Sequence, residues 1–315
     1  MDLYTPVGRR EIIKKLLYMG GSILFANLLV DSLPSSLATK LGPENSGFIV
    51  EGIGKQKGYS VTQLVRRVFD AAGGIDHFIS RGDVVAIKPN ISWARSPGLA
   101  ATTNPEVLRA VVELCQEAGA KKVRIVDHTI HDARRCFAIT GAGRVARETG
   151  AELVFPRSSL MRKMKIGGVR LDTWPVFTPI VEADKLINIP IAKHHSLSKL
   201  TLGMKNWIGA VGGSRWVLHQ DINQSIVDLA RFFNPTLTLI DAIRIMTRNG
   251  PSGGKKEYVA KKDVLILSND PVAADARAAL LFGKRPADLG FIRLGKRWGL
   301  GTFDFRQLQQ KKVHI

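Results

Sequence analysis

Hydrophobic positions along this 315-residue chain follow two rhythms. Behind Ser60, Val61, Leu64, Val65, Val68 and Phe69 recur at helical spacing, which predicts a capped helix to about Ala72. Asp83–Lys88 is a short, nearly continuous apolar run, read as a buried strand that Pro89 stops. Thr103-Asn104-Pro105-Glu106 combines a capping side chain, a first-turn proline and an acid at the positive helix end. That helix runs to Ala118 and ends at Gly119. Strands follow at Lys122–Val126, Glu152–Phe155, Lys185–Ile189, Thr236–Ile240 and Val264–Leu267, the first ending in Asp127-His128 and the fourth in Asp241. Helices are expected over about Arg134–Thr149, Ile222–Phe233 and from Pro271 to Phe282, with a helix-like apolar stretch over Leu200–Val211. Alternating residues around Gly167-Gly168, between Arg157 and Trp174, predict a hairpin, and Arg244–Lys262 reads as loop. Strands alternating with helices define an α/β fold: a mostly parallel sheet with helices on both faces, plus the hairpin insertion.

The N-terminal residues break this pattern. Gly8-Arg9-Arg10-Glu11-Ile12-Ile13-Lys14 precedes an apolar stretch from Leu16 to Val30, then Pro34 and the small-x-small site Ser36-Leu37-Ala38. The order of basic, apolar and small-residue regions is that of an export signal, and the arginine pair resembles the twin-arginine motif. Residues 1–38 are thus expected to address the chain through the twin-arginine export machinery to the periplasm or otherwise outside the cytoplasmic membrane. The remainder divides into a leading segment and helix (39–79), an α/β domain (80–285) and a basic C-terminal tail (286–315).

Charge narrows the partners. The formal charge is +19, and the first 38 residues hold four basic and three acidic side chains, which leaves +18 for the rest. Such a balance favours anionic partners. For an exported chain these are small anionic molecules or an anionic membrane surface rather than nucleic acid. Two cysteines, Cys115 and Cys136, are too few for an iron–sulfur cluster ligated by this chain.

In open parallel sheets ligands bind beyond the carboxyl ends of strands. Those ends carry Lys88 and Asn90, Asp127 and His128, Asn188, Asp241 and Asn269-Asp270. The densest polar segment runs Lys193-His194-His195-Ser196-Leu197-Ser198-Lys199, then Gly203-Met204-Lys205-Asn206, and on through Gly209, Gly212-Gly213 and Arg215 to His219. Glycines admit close backbone approach, and Lys and Arg neutralise an anion. Lys88, Asn90, Lys193, Lys199, Lys205 and Asn206 are therefore the candidate substrate-binding residues. His195 and His219 are candidate acid/base groups because imidazole titrates near neutral pH, with Asp241 to orient them. A divalent metal is a further reading, with Asp127, His194 and Asp275 as ligands. Walker, Gly-x-Ser-x-Gly and dinucleotide fingerprints are missing at the relevant positions.

Val85–Asn90, Thr103–Glu106, Leu186–His195, Leu200–Asn206, His219, Asp241, Asn249-Gly250-Pro251 and Asp270–Asp275 together resemble the family named domain of unknown function 362. The resemblance spans about residues 80–285. It implies the fold and the site region, and the family's name leaves its activity unassigned. The expectation is an exported α/β enzyme acting on a small phosphate- or carboxylate-bearing molecule. The alternative is a non-catalytic periplasmic binding protein or a cofactor or metal maturation factor.

Overall fold

A computed structural model describes residues 47–315; the export-signal reading falls outside them. One ten-stranded sheet organises the described chain. Its first strand, β1 (Phe48–Ile53), is followed by α1 (Val61–Ala71), whose Ser60 hydroxyl accepts from the Gln63 amide. β2 (Val84–Pro89), α2 (Pro105–Glu117) and β3 (Lys122–Val126) follow, with Asn104 capping α2 through the Glu106 amide. Next come α3 (Ala133–Ile139), α4 (Ala142–Thr149) and the edge strand β4 (Glu152–Val154). The hairpin expected around Gly167-Gly168 is present as an antiparallel pair, β5 (Met161–Lys165) and β6 (Thr173–Phe177).

The second half supplies α5 (Thr178–Val181), β7 (Lys185–Ile189), β8 (Ile191–His195) and β9 (Lys199–Thr201). A 3-10 helix over Met204–Ala210 leads to α6 (Arg215–Gln220) and α7 (Ile222–Phe233). β10 (Leu237–Met246), β11 (Val259–Ser268), α8 (Pro271–Leu280), α9 (Gly290–Arg297) and β12 (Gln309–His314) complete the described chain.

The strand order is β12-β1-β11-β10-β7-β2-β3-β4. The run β10-β7-β2-β3-β4 is parallel, whereas β11 lies antiparallel to both β10 and β1. Because side chains alternate across a strand, the sheet feeds two apolar layers. Val85, Ile87, Leu239 and Leu265 pack with α1, α2 and α4 on one face. Ala86, Ile240, Ile266 and Leu186 pack with α7, α8 and α9 on the other.

Several boundaries differ from the sequence reading. The helix expected over Arg134–Thr149 is two helices, because Gly141 adopts φ 82° between them. β10 continues past Asp241 to Met246, and β11 begins at Val259, so the expected loop is only the tip of a long antiparallel pair. The Leu200–Val211 stretch is not an α-helix but a short strand and the 3-10 segment. The C-terminal residues are no free tail: α9 covers the core, and β12 pairs with β1 along the sheet edge. Their Lys and Arg residues hid the alternation, because an edge strand buries so few of its side chains.

Candidate functional site

The site forms where the carboxyl ends of β2, β3 and β8 meet the 3-10 segment and α6. Pro190 interrupts the strand that begins as β7, and β8 continues it beside β10. On β8 the period-two rule sends Lys193 and His195 to one side and His194 to the other. Arg215 and His219, four residues apart on α6, share a helix face. Lys193, His195, Lys205, Asn206, Asn90, Arg215 and His219 line one cavity of about 200 Å³, closed by Ser92, Trp93, Ile130, Thr201, Ile208, Gly209 and Pro251.

Behind its Gly209 wall, outside the lining, lies a fully buried ion pair. Lys88 Nζ lies 2.8 Å from Asp127 Oδ1 and donates to the Pro89 carbonyl at 2.6 Å. The other Asp127 oxygen accepts from the Ile91 amide at 2.6 Å. Gly209 passes directly above: a Cβ there would sit 2.4 Å from Asp127 Oδ1 and 3.1 Å from Lys88 Nζ, so only glycine fits.

Three asparagines brace the wall. Asn206 Nδ2 donates to Asn188 Oδ1 at 2.8 Å and to the Lys88 carbonyl at 3.1 Å. Asn90 Nδ2 donates to Asn206 Oδ1 at 3.1 Å, and Asn188 Nδ2 to the Gly203 carbonyl at 2.9 Å. Lys193 Nζ, 1% exposed as a residue, donates to Asn90 Oδ1 at 3.3 Å and to the Ala101 carbonyl at 2.5 Å. Lys205 is buried too, yet among the described residues its ammonium has no hydrogen bond or ion pair. Arg215 donates to the His128 and Thr129 carbonyls. No Asp or Glu lines the cavity.

This imbalance shapes the titration. Burial, then Lys205 and Lys88, brings Lys193 down to about 7, against a partial pull upward from Asp127. Burial, then Arg215, brings Lys205 down to about 7. Burial also lowers Lys88, with Asp127 opposing. His195 falls to about 2 through burial and then Lys205, and is neutral at physiological pH. His219 is lowered by burial first, with Lys205 and Arg215 adding to it.

The two imidazoles are held in opposite tautomers. His195 Nδ1 accepts from the Leu197 and Ser198 amides at 3.2 and 3.3 Å, so the proton of this neutral ring sits on Nε2. His219 Nδ1 lies 2.6 Å from the Arg215 carbonyl, which can only accept, so its proton sits on Nδ1 and Nε2 keeps the lone pair. The rings stack with centroids 6.0 Å apart. One wall of the cavity thus offers an N–H donor and, next to it, a base.

Six expected site residues do not line the cavity, and one of them is Lys88, which is fully enclosed and paired with Asp127 behind Gly209. Asp241 faces the layer below α2, where it accepts from the Asn104 amide at 2.7 Å and the Ile243 amide at 3.1 Å; burial raises its carboxyl to about 6. It fixes the start of α2 and orients no histidine. Lys199 is exposed and donates to the Asp288 carbonyl. The expected metal set does not assemble. Asp127 holds Lys88, His194 Nδ1 accepts from the Gly250 amide, and Asp275 accepts from the Gly203 and Met204 amides at 2.6 and 3.0 Å. Among the described residues no group of three His, Cys, Asp or Glu could hold a metal ion. Sequence reasoning left Arg215 out of the binding set, although its i,i+4 spacing to His219 was the available signal. Ser92, Trp93, Ile130, Thr201 and Pro251 come from loops that no pattern tied to the site.

Fold and cavity together define a basic α/β protein with a cationic pocket at the carboxyl ends of parallel strands. Residues 85–279 match the family model described as a domain of unknown function, DUF362, and the chain belongs to that family. A thylakoid-associated protein of Synechocystis is 27% identical over 249 residues, covering 76% of each chain. Among solved structures, the lactate racemase apoprotein of Thermoanaerobacterium thermosaccharolyticum is similar with a TM-score of 0.43 and 13% identity, over 76% of this chain and 58% of that one. A Thermotoga maritima protein gives a TM-score of 0.43 and 11% identity, over 73% of this chain and 61% of that one. The chain spans less than two thirds of the length of both structures.

Proposed function

We propose that this protein is an enzyme that binds a small carboxylate- or phosphate-bearing molecule in the cavity and moves a proton on it. The observation that carries this reading is Lys205: a buried ammonium with no partner, facing a cavity that it shares with Lys193 and Arg215 and with no carboxylate. An unpaired buried cation is costly, and an anionic ligand is the missing partner. At about 200 Å³ the space is below the ~300–1,000 Å³ of drug-sized sites, which favours a ligand of few heavy atoms.

Chemistry then falls to the histidines. His219 Nε2 is the base. His195 Nε2–H, on a ring too hard to protonate to act as an imidazolium, donates a hydrogen bond to an oxygen that gains charge as the proton leaves. We also read residues 1–38 as an export signal, with the periplasm or another compartment outside the cytoplasmic membrane as destination. Contact with an anionic membrane surface fits the charge of the chain and the thylakoid association in its relative's name.

Lys205→Met tests the binding reading. Met keeps the length of the side chain without the charge, so oxalate should no longer raise the melting temperature, while the ligand-free variant should melt no lower than wild type. Undiminished oxalate stabilisation in Lys205→Met would remove the basis of the proposal.

A further inference from the structure

One surface beside the cavity combines exposed apolar side chains with unneutralised cations. Trp216 is 70% exposed on α6, and Val169 is 65% exposed at the tip of the β5–β6 hairpin. These two exposed apolar side chains stand on elements that a hydrogen bond joins, which makes them parts of one surface. Helical geometry places Trp216. Arg215 and His219 point into the cavity and Leu218 is buried, which leaves Trp216 and Gln220 on the strip of α6 next to the cavity and open to solvent.

The hairpin reaches this strip. Arg170 donates to Gln220 Oε1, one helical turn from Trp216, and Val169 precedes Arg170. The amides of Val169, Arg170 and Leu171 all donate to Asp228 on α7, which fixes the tip. Arg170 is exposed at the tip and Lys165 next to it, while Arg162 and Lys163 are exposed further along β5 on opposite faces of the hairpin. Between residues 157 and 174 the only acid is Asp172, which pairs with Lys165. The buried Asp228 is spent on backbone amides, and the exposed Asp221 after Gln220 accepts from the Gln224 amide, so cations outnumber acids on this surface.

We propose that the hairpin tip and α6 form a docking surface for an anionic phospholipid bilayer. Indole and valine would enter the headgroup–acyl boundary while Arg170, and Lys163 further along the hairpin, face lipid phosphates. Charge complementarity selects the anionic bilayer, and the protruding Trp and Val select a lipid over a nucleic acid, whose backbone needs cations alone. The docked helix would also carry Arg215 and His219 of the cavity wall, which puts the cavity close to the membrane surface. This inference does not depend on what the cavity binds.

The test uses the full chain with vesicles of phosphatidylcholine alone, or of phosphatidylcholine with phosphatidylglycerol. Comparing variants within the full chain cancels any contribution from residues 1–46. Val169→Ser/Trp216→Ser should bind phosphatidylglycerol vesicles at least about tenfold more weakly than wild type, with an unchanged melting temperature. Lys163→Gln and Arg170→Gln should each cost about fivefold, and less in high salt. Brominated lipid should quench wild-type tryptophan emission, and Trp216→Phe should abolish most of that quenching. Wild-type affinity in the Ser double variant, equal binding to both kinds of vesicle, or displacement by duplex DNA with no effect of the Trp216 and Val169 changes would each overturn the proposal.

Discussion

His195 and His219 are the same residue type on one cavity wall, yet backbone contacts assign them opposite roles. Two amides aimed at Nδ1 of His195 and one carbonyl facing Nδ1 of His219 decide which ring nitrogen carries each proton. The expected outcome in histidine 15N–1H correlation spectra is direct: His195 protonated at Nε2, His219 at Nδ1. His195 should keep its neutral signature down to about pH 3, because its folded value is about 2. The stability consequence has a definite sign. With an unfolded value near 6.5, the unfolded chain takes up a proton at His195 as pH falls through ~6.5 while the folded chain does not. Below ~6.5 this residue therefore favours unfolding, and its contribution recovers as pH rises towards 6.5. An imidazolium signal from His195 at pH 5 would contradict the assignment.

At the scale of elements, the 3-10 segment is what converts the end of a sheet into a site. Asp275 on α8 anchors its beginning through the Gly203 and Met204 amides, and Gly209 lets its end pass over the Lys88–Asp127 pair. Gly209→Ala should push a methyl into Asp127 and cost about 1–3 kcal/mol, the range for overpacking a filled interior. Chemical denaturation measures it; a change under ~0.5 kcal/mol would mean that the segment has room to move. This segment also marks where sequence reading stops. Apolar spacing found β2, β7 and α2, because Ile87, Ile187 and Val111 are buried by one sheet or helix face in a regular period. It could not find a segment buried on all sides, in which Lys205 and Asn206 are buried along with Trp207. Asp241 and His194 misled for a related reason. A polar residue near a strand end can face either layer, and which one it faces follows from pleat and kink, not from composition. Lys193, His195, Lys205, Asn206 and His219 were legible because their residue types have few other uses in a buried setting.

The whole molecule places its cations unevenly: some deep in one cavity, others on a hairpin beside it, within a chain of +19. No helix among the described residues is long and apolar enough to cross a membrane. In the reading proposed above, delivery to a membrane surface rests on the N-terminal signal and on surface contact. Replacing Arg9 and Arg10 together by Lys keeps charge but not the planar fork. Cell fractionation should then find full-length precursor retained in the cytoplasm; unchanged export would remove the twin-arginine assignment.

The central claim is that the cavity awaits an anion. Lys193 and Lys205 sit near 7 when the cavity is empty, below the ordinary lysine value of ~10.4, and an anion bound between them would raise both. Binding should then draw protons from solution, and affinity should fall as pH rises above 7. With both lysines required in charged form, the loss is about a hundredfold between pH 6 and 8 for a ligand that does not itself titrate. Calorimetric titration of oxalate at pH 7.5, repeated in buffers of different ionisation enthalpy, measures that uptake. The account predicts binding with uptake of about one proton or more per oxalate, lost in Lys205→Met. Saturable binding with no proton uptake, or with uptake unchanged in Lys205→Met, would contradict it.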